Sequence, residues 1–398
     1  MRQDLFDHIQ KLSFRYFDKT KTGHIMSRLV NDLNEISELA HHGPEDLFIA
    51  TVTLTGAFII MMMLNWKLAL LVFLPIPAMI WFAVSKNKEM QTTFRNVRLK
   101  VADINARVED SISGVRVVKS FANEWYEKEK FERDNLNFRR SKQKSFRVMA
   151  QFFSGINLFS NLISLIVLFF GGYFIYRGEL TLGVLVGFLL YVNMFLQPIR
   201  RISVLVETYQ RGMAGFHRFV ETLQIEPEIV DHKEARPAGR LKGEIVFDNV
   251  TFSYNRDKNI LEDISLRIAP GETVALVGPT GAGKTTIVNV LTRFYDIDSG
   301  RILVDGHDIR HVKKDDLRRQ LGIVLQDTFL FSGSVMDNIR YGRLDAGDED
   351  VIAAAKMANA DQFIHRLPHG YATHLSERAG NLSQGQRQLL AIARAILA

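Results

Sequence analysis

Eight consecutive residues, Gly278-Pro279-Thr280-Gly281-Ala282-Gly283-Lys284-Thr285, satisfy the spacing G-x-x-x-x-G-K-[ST] in full. Glycines at these positions let the backbone wrap a phosphate with its N–H groups turned inward, at the amino terminus of a helix whose dipole favours an anion. Lys284 would reach the β- and γ-phosphates of a nucleoside triphosphate. The Thr285 hydroxyl would hold Mg²⁺, and Thr286 would carry the cradle into the helix. A second turn of similar character lies about a hundred residues later. Asn381-Leu382-Ser383-Gln384-Gly385-Gln386-Arg387 opens the run QLLAIARAIL, and a small-polar-glycine turn capping a helix is physically another anion site.

Such a cradle needs a strand to deliver it and a helix to follow it. An apolar run at residues 273–277 predicts the strand, and the helix is expected from Thr286. From Gly243 onward the texture is β-rich, with EIVFDNVTFSY, ISLRI and ETVALVG in succession. Residues 243–398 therefore read as an α/β P-loop nucleotide-binding domain. Residues 226–242, with Pro227, Pro237 and Gly239, read as a linker.

The chain before the linker has a different solvent. Residues 47–64 and 68–84 are apolar runs separated by Asn65-Trp66-Lys67, and residues 148–176 and 180–199 are a second pair around Arg177-Gly178-Glu179. Each run is close to the roughly 17–25 residues that cross a hydrocarbon core. Pairing around short polar turns disfavours buried helices of a soluble protein. The reading is an all-α transmembrane domain over residues 1–225, with spans at about 45–64, 68–86, 150–176 and 180–200. Pro75 and Pro77 predict a kink. Asn157, Asn161 and Asn193 either face a substrate path or bond between packed helices. No Asp, Glu, Lys or Arg lies mid-span, so an ion-coupled pathway has no carrier and the energy must come from elsewhere.

Residues 86–147 carry 16 Lys and Arg, against one basic residue in each short turn. The positive-inside rule therefore places both termini, the central segment and the nucleotide-binding domain in the cytoplasm, with the chain in the plasma or inner membrane. Val97, Val101, Ile104, Val108 and Ile112 recur at helical spacing among these charges, so the spans continue as amphipathic helices, with breaks expected at Ser113-Gly114 and Asn123-Glu124. Leu5, Phe6, Ile9 and Leu12 give a similar stripe at the amino terminus.

The 398 residues include 50 Lys and Arg against 44 Asp and Glu, a net charge of +6 that does not argue for nucleic acid as a partner. Mean hydropathy is −0.01 only because the two halves cancel. With no cysteine, disulfides, thiolate metal sites and cysteine nucleophiles are excluded.

The P-loop together with the turn at 381–387 resembles the ATP-binding cassette (ABC) transporters, whose signature is usually LSGGQ. The resemblance covers essentially the whole chain and is closest to one half of an exporter. It implies ATP and Mg²⁺ as cofactors, a second half-transporter as partner, a lipid bilayer, and a hydrophobic small-molecule or lipid substrate. By the same resemblance Tyr254 stacks on adenine, and Gln326 contacts Mg²⁺ and the attacking water. Ser383, Gln384, Gly385 and Gln386 are the signature positions that meet ATP held by the opposite cassette. Ser376-Glu377-Arg378 resembles a stretch that senses the membrane helices. Residues 17–23 and 114–121 resemble short coupling helices that press on the cassettes. A P-loop kinase or GTPase is disfavoured by the signature turn and the spans.

Two departures qualify the expectation. The resemblance implies six spans per half where four are found, so the first two are expected before Met1. The aspartate on Mg²⁺, the adjoining catalytic glutamate and the switch histidine are expected after Ala398, which implies a parent ATPase and no hydrolysis by residues 1–398 alone. The competing reading is an ATP-binding membrane module without turnover. Gln384 replaces the first signature glycine, so the cross-site is either modified or unaffected with Gln384 pointing away.

Overall fold

A computed structural model describes residues 1–255, 258–325, 328–376 and 380–398, and leaves the side chains of residues 200–204 undescribed. Two compact units emerge: Met1–Met26 with Glu221–Ala398, and Ser27–Val220.

The chain opens with α1 (Arg2–Lys11) and α2 (Phe14–Lys19). Leu5, Ile9 and Leu12 of the amino-terminal stripe are buried, whereas Phe6 stays exposed. Next come α3 (Thr22–Ser27), a π-helical turn at Arg28–Asp32, and α4 (Leu33–Leu64). Asn65 ends α4 in an extended conformation and caps α5 (Trp66–Phe73), its Oδ1 accepting from the N–H of Leu68 at 3.0 Å. Pro75 then separates α5 from α6 (Ile76–Ser113), as the proline pair predicts. The expected breaks around Gly114 and Asn123 delimit the short α7 (Val115–Ser120). Two long helices complete the membrane part, α8 (Glu124–Tyr176) and α9 (Leu182–Leu223).

Among the described residues, four helices have stretches long and apolar enough to cross a membrane: Thr22–Leu64, Trp66–Ser113, Glu124–Tyr176 and Leu182–Ile199. Met61, Leu68, Met79, Ile163, Val167, Phe188 and Leu196 form the centre of their common core. Lipid is as apolar as these side chains, so close packing rather than hydrophobic transfer holds the helices together. Gly155 shows how close: a Cβ there would come within 2.2 Å of the Phe82 ring. Lys67 and Glu179 join the two short turns at 2.8 Å. Asn157, Asn161 and Asn193 are all exposed in this unit, and Asn193 Nδ2 donates to the carbonyl of Leu189 in its own helix. At the polar end, Arg107 pairs with Asp134 at 3.1 Å across α6 and α8. The apolar stripe expected on α6 lies on a helix, but Val101, Val108 and Ile112 are exposed rather than packed.

In the other unit, β1 (Ile245–Phe252), β2 (Leu261–Ile268), β3 (Ser299–Val304) and β4 (His307–Asp308) form an antiparallel sheet in the order β2-β1-β3-β4, with α10 (Lys284–Leu291) after β2. Phe247 pairs with Leu266 on one side and Ile302 on the other. One core gathers Phe247, Phe252, Leu261, Ile302 and Val290 of α10. A separate core gathers Val335, Ile339, Val351 and Ala354 with Leu390, Ala393 and Leu397 of the carboxyl-terminal helix.

The strand predicted at residues 273–277 does not form. A parallel strand in an α/β sheet is satisfied only by ladders with its neighbours and by cover on both faces. Among the described residues no segment pairs with 273–277, and Val277 is 89% exposed. Val324 and Leu325, just before Gln326, are likewise exposed and outside any strand.

Candidate nucleotide site

The loop expected to cradle a phosphate is shaped by glycines whose backbone is left-handed. Gly281 has φ +87° and Gly283 φ +85°, a region open to glycine at no steric cost. Gly283 is also pressed against the sheet, where a Cβ would meet Leu261 Cδ2 at 2.9 Å and the Ile260 carbonyl at 3.2 Å. From Gly283 the chain enters α10, so its first free N–H groups surround the loop. Lys284 Nζ folds back over the loop and donates to the carbonyls of Gly278 and Pro279, each at 2.8 Å. Thr280, Gly281 and Thr285 are exposed. Thr286 is buried, and its hydroxyl accepts from Tyr254 at 3.3 Å.

Tyr254 is anchored to the same helix. Its hydroxyl also accepts from Asn289 Nδ2 at 3.2 Å, and its ring packs edge-on to Phe252 and Tyr295 at centroid distances of 4.9 and 5.0 Å. The structure thus brings Tyr254 to the cradle by its hydroxyl. Gln326, Glu377 and Arg378 lie outside the described residues.

The second anion turn is built differently. Ser383 caps α11 (Gln384–Leu397): its Oγ accepts from the N–H of Gln386 at 3.2 Å, and Gln386 Oε1 accepts from the N–H of Ser383 at 2.9 Å. This reciprocal pair satisfies two otherwise orphaned donors. Gln384 and Gly385 are exposed, and a Cβ on Gly385 would meet nothing within 4 Å. Leu382, by contrast, is buried and seats the turn. The cradle helix and the signature helix rest on the two separate cores of this unit.

One set of contacts escapes motif reading. Phe14 of α2 stacks on Phe294 with centroids 4.2 Å apart, and Asp18 accepts a hydrogen bond from the Tyr295 hydroxyl. Burial, reinforced by the Asp18 carboxylate, pushes the Tyr295 hydroxyl up from its ordinary value, so it remains a donor across the neutral range. Tyr295 therefore touches Tyr254 by its ring and α2 by its hydroxyl. The signal in the sequence is the density of exposed aromatics in a short polar helix, Phe14 and Phe17.

A solved structure described as a bacterial Atm1-family ABC exporter with ATP bound superposes with a TM-score of 0.80 at 31% identity, covering 99% of this chain and 70% of that one. An uncharacterized ABC transporter ATP-binding protein, YwjA of Bacillus subtilis (strain 168), is 46% identical over 397 residues, all of this chain and 69% of the relative. The putative multidrug export ATP-binding/permease protein YgaD of the same organism is 38% identical over 401 residues, again 100% of this chain and 69% of the relative. The chain thus spans about two thirds of the length of these relatives. Residues 1–199 match the ABC transporter transmembrane region and residues 261–398 match the ABC transporter family itself. The helical membrane unit, the glycine cradle and the signature turn are those of one family, and the chain belongs to the ABC transporters.

Proposed function

We propose that this chain is part of one half of a dimeric exporter that uses ATP to move a hydrophobic or amphipathic substrate, drug-like or lipid, out through the membrane. The observation that carries it is the pairing of two anion turns on separate cores with four apolar helices in one chain. The likeness to an ABC exporter supports the direction, and the name of YgaD supports the substrate class. In this reading the glycine cradle from Gly278 to Thr286 binds the phosphates and Tyr254 meets the adenine. Ser383, Gln384, Gly385 and Gln386 meet the nucleotide of the partner half. Both nucleotide units and both termini are cytoplasmic, in the plasma or inner membrane.

Mg²⁺ suits the donors in reach. Thr285 sets an exposed hydroxyl oxygen at the head of α10, and a hard cation takes oxygen from such a group together with substrate phosphates. Gln326 would add a second oxygen. The ion supplies charge neutralisation on the phosphates, and Lys284 adds a point charge to them. Ligand affinity for the closed pair of cassettes would then bias the membrane helices toward the outward-open state.

For residues 1–398 alone, the exposed and unladdered segment 273–277 favours the second reading, an ATP-binding membrane module without turnover.

ATP hydrolysis by the longer protein in lipid, measured beside Lys284→Ala, tests the main reading. A fall of about 10² or more is expected on removing a charge placed on the transferred phosphate. Equal rates would refute the assignment. Phosphate release by residues 1–398 should not exceed that of the same chain carrying Lys284→Ala.

A further inference from the structure

Helix α4 carries His41, His42 and Glu45 just before the apolar stretch that begins at Leu47. One donor atom from each, two ring nitrogens and a carboxylate oxygen, all lie within 4.8 Å of one another. His42 Nδ1 is 3.4 Å from Glu45 Oε2, and its Nε2 is 3.6 Å from Glu38 Oε2. The two imidazole rings are 4.6 Å apart at their centroids.

These spacings can be judged against metal chemistry. With bonds of about 2.0–2.1 Å, two donors on one tetrahedral zinc ion stand about 3.3 Å apart. His42 and Glu45 already have that separation. From a separation within 4.8 Å, His41 must close by up to about 1.5 Å, which an exposed side chain does by rotation about its torsions. Pro44 lies within the same turn and offers no N–H to the Ala40 carbonyl, which loosens the backbone at this point. A surface ion pair between His42 and its carboxylates would explain one ring. It would not account for a ring nitrogen of His41 within 4.8 Å of both other donors.

The surroundings leave room for further ligands. His42 and Asp46 line a cavity of about 450 Å³ with Leu47 of α4 and Tyr209 of α9. Water, or the Asp46 carboxylate, can complete a coordination shell from that side. Two imidazoles and a carboxylate select borderline cations of the zinc type over Mg²⁺ or Ca²⁺, which prefer oxygen alone. The site is thus chemically distinct from the Mg²⁺ position beside Thr285.

We propose that His41, His42 and Glu45 bind a divalent transition-metal cation of the zinc type at the head of the first apolar span, next to the cavity between α4 and α9. This does not depend on the transport reading.

Metal-stripped chain in detergent, without nucleotide, is titrated with Zn²⁺ by calorimetry and with Co²⁺ by its visible absorption. One ion per chain is expected, with affinity at least about tenfold weaker in His41→Ala/His42→Ala, as befits lost ligands, and several-fold weaker in Glu45→Gln. Lys284→Ala should bind Zn²⁺ as the unaltered chain does. Melting temperatures without metal should agree among all variants. If the double variant melts early, the isosteric Glu45→Gln decides the matter by itself. No binding up to millimolar Zn²⁺, or equal affinity in Glu45→Gln and the unaltered chain, overturns the proposal.

Discussion

The turns at Gly278–Thr285 and Ser383–Gln386 both put small residues at the start of a helix, yet the chain needs their glycines for different reasons. Gly283 is left-handed and lies against Leu261 and Ile260, so the fold itself forbids a side chain there. Gly385 has ordinary backbone angles and open space around it, and nothing among the described residues asks for glycine. The first turn is complete by itself. The second holds its Ser383 and Gln386 oxygens in a capping box, leaving their O–H and N–H donors and an exposed backbone beside them. A glycine that the fold does not require points to an approach from outside, which agrees with a nucleotide carried by another half.

The comparison breaks most sharply on paired glycine substitutions. Gly283→Ala should cost about 1–2 kcal/mol for a left-handed alanine, plus the displacement of Leu261. Gly385→Ala should be neutral or slightly stabilising, by up to about 1 kcal/mol, since alanine is the better helix former. Urea melts of both variants check this, and equal losses would remove the distinction. In the longer protein Gly385→Ala should nonetheless lower ATP turnover.

Ser383→Ala comes next. Losing the cap should cost about 1 kcal/mol of helix stability, seen as faster amide exchange in the first turn of α11 and no change around Gly283. A similar or slightly smaller effect is expected for Tyr295→Phe, which removes the hydrogen bond to Asp18, a loss of about 0.5–1.5 kcal/mol. Because the folded-state pKa of this tyrosine is raised, its contribution is fully present below about pH 10, the ordinary tyrosine value. It is lost as pH rises through the higher folded value. Amide exchange in α2 should therefore accelerate in strong alkali in the unaltered chain and show no such step in Tyr295→Phe.

The membrane half was largely legible. Long uncharged runs, the Asn65 cap, Pro75, Gly114 and Asn123 are local signals, and each delimits a helix as its chemistry dictates. The conformation of the glycine loop was legible for the same reason, since Gly281, Gly283 and Lys284 act within a few residues of one another. What could not be read depends on distant partners. Residues 273–277 have the composition of a buried strand, but strand formation is settled by ladders from elsewhere in the chain. The stripe of Val101, Val108 and Ile112 marks a helix without saying what covers it. Phe14 on Phe294 and Asp18 on Tyr295 join residues some 280 positions apart, a separation that no periodicity reports.

The central claim is that the cradle of one half and the signature turn of another close on ATP. Residues 1–398 contain no cysteine, so a pair introduced as Thr280→Cys and Ser383→Cys is unambiguous once any cysteines elsewhere in the longer protein are replaced. Under mild oxidation in lipid, we expect a disulfide between two chains whose yield rises with ATP and falls when Lys284→Ala is added. A cross-link confined to one chain, or a yield between chains indifferent to ATP, would contradict the account.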